Sequence, residues 1–176
     1  VYDVNVNGTK NVIDMCKEHK VSKLIYISSV HALPEIKEGE IIRETKDFDP
    51  EKVVGYYAKT KAEATKLVLK ANDENLEVCV IHPSGIIGPY DYGHGHMTGM
   101  VEEYCKGRLL AGMIGGYDFV DVRDVVGGII SCADRGRSGE CYILSNRYFT
   151  IRELMDELSK VTNKRRIRVY LPRWIA

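Results

Sequence analysis

The stretch Gly55-Tyr-Tyr-Ala-Lys-Thr-Lys-Ala-Glu-Ala64 carries the most information about the fold and the chemistry of this chain. Tyr57 and Lys61 are four residues apart, so on a helix their side chains lie on one face, one turn from each other. A cation this close to a phenol favours the phenolate, and such a tyrosine can give or take a proton at a carbonyl or alcohol oxygen near neutral pH. A chain with 11 Tyr and this share of Lys holds about one such pair by chance. The surrounding sequence therefore has to decide between a catalytic pair and an ordinary surface pair.

Apolar segments on either side of this helix predict two neighbouring strands. Residues 24–27 precede the helix and residues 76–81 follow it, and a strand, a crossover helix and a strand form a right-handed unit with parallel pairing. Ligands bind beyond the carboxyl ends of such strands, where this chain has Ser28-Ser29 and His82-Pro-Ser-Gly85. We therefore expect an α/β fold in which these two segments and the Tyr57 helix meet at one crevice.

The apolar stripe of the same helix predicts which way the two candidates point. Its members are Tyr57, Lys61, Ala64, Val68 and Ala71. Because an amphipathic helix turns such a stripe toward the protein, we expect Tyr57 and Lys61 to point inward rather than into solvent.

Apolar spacing predicts four further helices, at residues 6–16, 97–105, 122–130 and 151–161. The third would bury Val122, Val125, Val126, Ile129 and Ile130, with close packing at Gly127-Gly128. The fourth begins with a capping box, Thr150-Ile-Arg-Glu153. Short strands are expected at residues 117–120 and 140–144, and residues 30–53 form a polar loop of a length that usually carries function.

Composition excludes several classes of function. The chain has 25 basic and 25 acidic residues and a formal net charge of zero, which argues against a nucleic-acid partner or a membrane surface. No apolar run approaches the roughly 20 residues of a membrane span. Five scattered cysteines without C-x-x-C spacing predict reduced thiols in a cytoplasmic protein. His94 and His96 lack carboxylate or cysteine partners at fitting spacing, so we expect no metal site.

Five motifs in order resemble the extended short-chain dehydrogenase/reductase family. They are Asn5-Val-Asn-Gly-Thr9, Leu24-Ile-Tyr-Ile-Ser-Ser29, Tyr57-Ala-Lys-Thr-Lys61-Ala-Glu63, His82-Pro-Ser-Gly-Ile-Ile-Gly-Pro89 and Phe119-Val-Asp-Val-Arg-Asp124. The resemblance is greatest to the NAD-dependent epimerase/dehydratase group and its dihydroflavonol-4-reductase-like branch. Leu171-Pro-Arg-Trp174 resembles that branch as well.

The resemblance implies a role for each matching position. Tyr57 is expected to be the catalytic acid/base, and Lys61 to bind the nicotinamide ribose and promote ionisation of the tyrosine. Ser29 would hydrogen-bond the reacting oxygen, with Ser28 as the fallback, and Asn5 matches a helix asparagine near the active site. The implied cofactor is NAD or NADP. Its nicotinamide end would lie against the following residues: Ile27, Ser28, Ser29, Tyr57, Lys61, His82, Pro83, Ser84, Gly85 and Ile86.

One departure from the family pattern concerns the dinucleotide cradle. Family members begin with a strand and a glycine-rich turn that holds the pyrophosphate, and none of the 16 Gly here is arranged in that way. We interpret the chain as the C-terminal portion of a doubly wound Rossmann sheet with a small mixed α/β lobe. Residues 1–84 would be the remainder of the dinucleotide-binding domain. Residues 85–176 would be largely the substrate-binding lobe, with some elements returning to the sheet. A fragment of a longer enzyme, an unseen first part, and a split or degenerate protein all stay open.

Three functions are consistent with these residues. The first is an oxidoreductase that transfers hydride to or from a small ketone or alcohol. The second is a nucleotide-sugar epimerase or dehydratase that retains NAD, and the third is a non-catalytic fragment or subunit. The expected partners are a small-molecule substrate and, as a possibility left open by the sequence, a second copy in a homodimer.

Overall fold

The computed structural model describes residues 1–36, 39–172 and 174. The helices are α1 (Gly8–Glu18), α2 (Tyr56–Lys70), α3 (His96–Cys105), α4 (Val122–Arg135) and α5 (Ile151–Thr162). The strands are β1 (Lys23–Ile27), β2 (Glu77–Pro83), β3 (Gly85–Ile87), β4 (Gly112–Met113), β5 (Gly116–Asp121), β6 (Glu140–Leu144), β7 (Arg147–Thr150) and β8 (Tyr170–Leu171). A π-helical turn at Asp3–Asn7 leads into α1, and 3-10 turns lie at Val30–Ala32 and Pro50–Lys52.

The first of two compact units consists of Val1–Ser84 and Asp124–Leu144. Its sheet has the strand order β1-β2-β6, and both pairings are parallel. Helix α2 lies between β1 and β2 in the chain, so the predicted strand–helix–strand unit with parallel pairing is confirmed. In the register, Ile27 at the end of β1 is opposite Ile81 in β2.

The central strand β2 carries two apolar faces, because neighbouring side chains of a strand point to opposite sides. Val78 and Val80 pack in one cluster with side chains of α1 and α2, among them Ile13, Ala62 and Val68. Cys79 and Ile81 pack in another cluster with Cys132 of α4. The strand is buried from Val78 to Pro83, which confirms the expectation that both of its faces are covered.

Helix α4 differs from its prediction in the width of its buried face. Val125 is buried, but Val126 and Ile130 are 50% and 59% exposed. The helix contacts the sheet through Ile129, as predicted, and through Cys132. The predicted five-residue stripe was therefore too wide, because only a narrow row of side chains faces the sheet.

Glycines of α4 confirm the predicted close packing at one position out of two. A Cβ atom added to Gly128 would lie 2.6 Å from Cδ1 of Leu144 in β6, whereas one added to Gly127 would meet open space. Only Gly128 lies on the side of the helix that faces β6.

The second unit consists of Gly85–Arg123 and the described residues of Ser145–Ala176. Its sheet has the order β3-β5-β7, with β3 parallel and β7 antiparallel to β5, and β4 and β8 form a separate parallel pair. Tyr104, Met155 and Ile167 form its buried cluster. The predicted capping box of α5 is present, whereas Val161, predicted to be buried, is 82% exposed.

Some sequence predictions fall on residues that the structure does not describe. Lys37 and Glu38 of the predicted loop, and Arg173 of the motif at residues 171–174, lie outside the described residues. Within the described part of the chain, no helix combines the length and apolar character needed to cross a bilayer.

Candidate active site

Lys61 lies beside the carboxyl end of β1. Its ammonium nitrogen Nζ donates a hydrogen bond of 2.9 Å to the backbone carbonyl of Ile27, the last residue of that strand. It also lies 3.4 Å from the hydroxyl of Tyr26. Desolvation by burial holds the pKa of Lys61 below its usual value, because removal from water disfavours the charged form. This amine is therefore fixed at the strand end at which ligands bind in parallel sheets.

Tyr57 does not point inward as predicted. The side chain lies in the first turn of α2 and is 50% exposed, whereas Ala64 and Val68 of the same stripe are fully buried. Lys61, one turn later, contacts the last residue of β1. The turn that carries Tyr57 therefore lies past the end of β1, where the strand no longer shields it from solvent. The Tyr57 ring is in edge contact with the His31 ring, at a centroid distance of 6.3 Å.

Ser29 begins the 3-10 turn that carries His31. Its hydroxyl oxygen accepts a hydrogen bond from the backbone N–H of His31 at 3.2 Å. Because His31 in turn contacts Tyr57, the short segment after β1 connects Ser29 to the tyrosine. The three predicted catalytic residues thus lie in the first unit, Ser29 in the segment after β1 and Tyr57 and Lys61 in α2.

Ser28, the fallback for Ser29, has a different environment. The residue is 6% exposed, and its hydroxyl lies 2.7 Å from the Thr65 hydroxyl of α2. The Thr65 hydroxyl donates to the Lys61 carbonyl, so the Ser28 hydroxyl is the donor of the pair. The Ser28 hydroxyl is occupied inside the protein, which favours Ser29 as the group that meets a ligand.

Asn5 is joined to the first turn of α2 by a residue that sequence reasoning missed. The Asn5 amide Nδ2 donates to the Thr60 hydroxyl at 3.0 Å, and this hydroxyl donates to the Tyr57 carbonyl at 2.8 Å. Thr60 is 2% exposed. The sequence gives only its position, three residues after the candidate catalytic tyrosine, and its burial is seen in the structure alone. The π-helical turn at Asp3–Asn7 thereby supports the backbone of the tyrosine.

His82 was predicted to line the nicotinamide site, and its side chain lies in the core instead. It has no exposed surface, and its ring stacks on Phe48 at a centroid distance of 5.2 Å. Its ring nitrogen Nδ1 lies 2.9 Å from the Ser29 carbonyl oxygen, so the ring donates there as the neutral Nδ1–H tautomer. Desolvation by burial holds the pKa of His82 below its usual value. Its contribution to the site is therefore to support Ser29 from within.

The remaining predicted positions divide between the two units. Pro83 ends β2 and Ser84 follows it in the first unit, and the backbone N–H of Ser84 donates to the Leu144 carbonyl at 2.9 Å. Gly85 and Ile86 lie in β3 of the second unit. The structure therefore groups Asn5, Ile27, Ser28, Ser29, Tyr57 and Lys61 with His82, Pro83 and Ser84, and it places Gly85 and Ile86 in the other unit.

The second unit contains a cavity of about 670 Å³. Its lining is mainly apolar and includes Ile86, Ile87, Met97, Val101, Val122 and Leu154. The charged residues of the lining are Asp91 and Glu102, both of them acidic. The cavity is therefore suited to an apolar body rather than to an anion.

Hydrogen bonds occupy both carboxylates of this cavity. Asp91 accepts from the Gly95 N–H at 2.8 Å and the Thr98 hydroxyl at 2.5 Å, and these bonds hold the pKa of Asp91 below its usual range. Glu102 pairs with His94 and Lys106 at 2.9 Å each.

No group of three or more potential metal ligands of the His, Cys, Asp or Glu type occurs among residues 1–36, 39–172 and 174.

The parallel pairing of β1 with β2 around the crossover helix α2 is the Rossmann-type arrangement of the extended short-chain dehydrogenase/reductases, which is the class of this chain. Within that class, the chain belongs to the 3-beta hydroxysteroid dehydrogenase/isomerase family, whose model matches residues 1–124.

Curated relatives agree with this assignment. The chain is 28% identical to "Sterol demethylase protein B" of Methylococcus capsulatus, over 98% of this chain and 52% of the relative. It is 26% identical to "Putative dihydroflavonol 4-reductase" of Synechocystis, over 99% of this chain and 52% of the relative. It is 34% identical to "3beta-hydroxysteroid-dehydrogenase/decarboxylase isoform 1" of Arabidopsis thaliana, over 82% of this chain and 36% of the relative. The chain thus spans about half the length, or less, of these relatives.

Solved structures show the same fold. The crystal structure of gox2253 is similar with a TM-score of 0.90 and 30% identity, over 99% of this chain and 53% of that one. A dTDP-glucose 4,6-dehydratase from Bacillus anthracis is similar with a TM-score of 0.83 and 24% identity, over 97% of this chain and 56% of that one.

Proposed function

We propose that this chain carries the chemical half of an NAD(P)-dependent oxidoreductase that transfers hydride between a nicotinamide and the oxygen-bearing carbon of an alcohol or ketone. The single observation that carries the proposal is the position of Lys61. Its ammonium is bonded to the Ile27 carbonyl at the end of β1, one helical turn from the half-exposed Tyr57. The ammonium is thereby held at the strand end where a nicotinamide ribose would bind, one turn from the candidate phenol.

Each residue has a separate task in this chemistry. Tyr57 removes the proton from the alcohol oxygen during oxidation and returns it to the carbonyl oxygen during reduction. The Ser29 hydroxyl donates a hydrogen bond to the same oxygen, and the Lys61 charge stabilises the phenolate. Asn5 and Thr60 hold the backbone at Tyr57.

When bound, the oxidised nicotinamide would accept the hydride from the alcohol carbon, and the reduced nicotinamide would supply it to the ketone. The exposed end of β1 fits its reactive end, since Ile27 is 36% exposed and Lys61 offers ammonium hydrogens to ribose hydroxyls. Pro83 and Ser84 at the end of β2 are proposed to line the same site. Gly85 and Ile86 match the same family motif, and we propose that they too bind the cofactor.

We further propose an apolar alcohol of the sterol type as the substrate. Relatives of this chain are named sterol-4-alpha-carboxylate 3-dehydrogenase in Bos taurus and Homo sapiens. The cavity of the second unit supports this class, because its lining is mostly apolar and its charged members, Asp91 and Glu102, are both negative. The lining residues that the structure describes offer no Lys, Arg or His side chain to a nucleotide diphosphate, and Asp91 adds a negative charge that would repel it.

Cofactor balance tests the proposal. The protein in its natural, full-length form is purified and incubated with a 3β-hydroxysterol and NAD⁺ or NADP⁺, and in parallel with UDP-glucose or dTDP-glucose. We expect reduced cofactor to form at 340 nm in a one-to-one ratio with sterol ketone, and no product from the sugars. Sugar product without net cofactor change would support the epimerase or dehydratase alternative. Absence of product from every substrate would contradict catalysis by this chain and favour the non-catalytic alternative.

A further inference from the structure

The Tyr26 side chain lies directly against Lys61, and the chemistry proposed above does not use it. Tyr26 belongs to β1 and is partly buried. The Lys61 nitrogen lies 4.9 Å from the centroid of its ring and 3.4 Å from its hydroxyl oxygen. The ring face of a phenol attracts a cation at this range.

No carboxylate neutralises Lys61 in the part of the chain that the structure describes. None of the ion pairs among those residues involves it. The other titratable groups around the amine are Tyr57 on its own helix and His82 of β2, whose protonation the charge of Lys61 opposes. A partly desolvated ammonium therefore depends on the Ile27 carbonyl and on Tyr26 for its stabilisation.

The direction of the hydrogen bond between Tyr26 and Lys61 follows from the donor available. A lysine ammonium only donates, so the Tyr26 oxygen accepts from Lys61. Desolvation by burial raises the pKa of Tyr26, so the phenol stays protonated and brings no charge of its own to the amine.

We propose that Tyr26 is a positioning residue, which holds the Lys61 ammonium at the end of β1 through its ring face and its hydroxyl. The turn that carries Tyr57 is held separately, by the Asn5 side chain through the Thr60 hydroxyl. The geometric part of the inference stands alone, and its effect on turnover rests on the proposed function.

The titration of Lys61, followed by NMR, tests the proposal independently of enzymatic activity. Lysine labelled with ¹³C at Cε is incorporated, and the Lys61 signal is identified by its loss in Lys61→Arg. The titration midpoint of Lys61 is then compared in the wild type, Tyr26→Phe and Tyr26→Leu. The control is Tyr2→Phe, which removes a phenol hydrogen bond to Glu63 of α2, while Lys61 keeps its hydrogen bonds to Ile27 and Tyr26.

We expect the Lys61 midpoint to fall in Tyr26→Leu, because the ammonium loses both the ring face and the acceptor. A smaller fall is expected in Tyr26→Phe, which keeps the ring and its packing and so provides the test if the leucine variant does not fold. The control should match the wild type. An unchanged or raised midpoint in a folded Tyr26→Phe or Tyr26→Leu protein would overturn the proposal.

Turnover separates this inference from the proposed function. If the wild type oxidises the sterol, kcat should fall by about tenfold or more in Tyr26→Leu, because misplacement of a catalytic group lowers the rate. It should recover largely in Tyr26→Phe. If the Lys61 midpoint falls as expected and the wild type has no turnover, the proposed function fails and the positioning role stands. An unchanged kcat in Tyr26→Leu would contradict the role in turnover.

Discussion

Ser28 and Ser29 are neighbours in the chain with opposite surroundings, because successive side chains of an extended segment point to opposite sides. Ser28 is buried against Thr65, and Ser29 faces the segment that carries His31. The sequence offered both as candidates for the reacting serine. They differ in burial because α2 packs over Ser28, and this packing cannot be read from the sequence.

Alanine at each serine should therefore have a different effect. Ser28→Ala is expected to lower the free energy of unfolding by about 1 kcal/mol, because the buried Thr65 oxygen loses its donor. It should leave kcat within about twofold of the wild type. Ser29→Ala should lower kcat by about 100-fold at nearly unchanged stability. Urea unfolding and sterol oxidation by the two variants measure both quantities, and the reverse pattern would return the assignment to Ser28.

The stability of the first unit should depend on pH through His82. Burial keeps the pKa of His82 below the ordinary 6.5, so below pH 6.5 the unfolded chain binds a proton that the folded chain does not. The free energy of unfolding contributed by this residue is present above pH 6.5 and is lost as the pH falls toward the folded pKa. We expect His82→Gln to weaken this loss in urea titrations between pH 7 and pH 5. The matched control is His96→Gln, at an exposed histidine. A steep loss that persists in His82→Gln would contradict the assignment.

At the scale of elements, apolar periodicity predicted all five helices and the strands that flank α2. It succeeded because each of these helices buries one row of side chains, which leaves a period of 3.6 residues in the sequence. It failed for β3, β4, β7 and β8, which have two to four residues each. Such strands exist through pairing with distant segments, and a few residues carry no periodic pattern.

The same limit applies to the candidate site. The family motifs indicated Ser29, Tyr57 and Lys61, and the structure brings their segments together. Exposure of Tyr57 and burial of His82 could not be predicted from helix and strand periods, because they depend on where β1 ends beneath α2. Tyr26 and Thr60 were missed for a related reason, since Tyr26 contacts Lys61 between β1 and α2, and Thr60 contacts Asn5 between α2 and the π-helical turn.

The capping box of α5 provides a test at this scale. The Thr150 hydroxyl accepts from the Glu153 N–H at 3.1 Å, and the Glu153 carboxylate accepts from the Thr150 N–H at 2.8 Å. Thr150→Ala should lower the free energy of unfolding of the second unit by about 1 kcal/mol. Thr162→Ala on the same helix is the control, because its hydroxyl only bonds back to the Leu158 carbonyl and such bonds contribute little. Equal losses in the two variants, measured by thermal or urea unfolding, would contradict the capping role.

At the scale of the whole molecule, the five free cysteines report on the packing of the two units. Cys79, Cys132 and Cys141 are buried in the first unit, whereas Cys16 and Cys105 are partly accessible. Burial raises the pKa of Cys79 and of Cys141 to about 11 each. Only the thiolate reacts rapidly with alkylating reagents.

Alkylation should therefore separate the cysteines into two groups. We expect iodoacetamide at pH 8 to modify Cys16 and Cys105 first, and the buried three only through opening or unfolding of the first unit. Intact mass and peptide mapping over time measure this order, with a sample in urea as the control in which all five react. Rapid modification of Cys79 or Cys141 in the native protein would show that the described core is not formed.

Proton transfer by the Tyr57 hydroxyl is the central step of the proposed chemistry, and the neighbouring tyrosine offers a matched control. Tyr56 is also a tyrosine in the first turn of α2, with 62% of its surface exposed. The most direct measurement compares kcat for sterol oxidation in Tyr57→Phe and Tyr56→Phe, with the folded state of each checked by circular dichroism. We expect kcat to fall by about 100-fold or more in Tyr57→Phe and to change by less than about twofold in Tyr56→Phe. Equal rates in the two variants, or a loss confined to Tyr56→Phe, would contradict proton transfer by Tyr57.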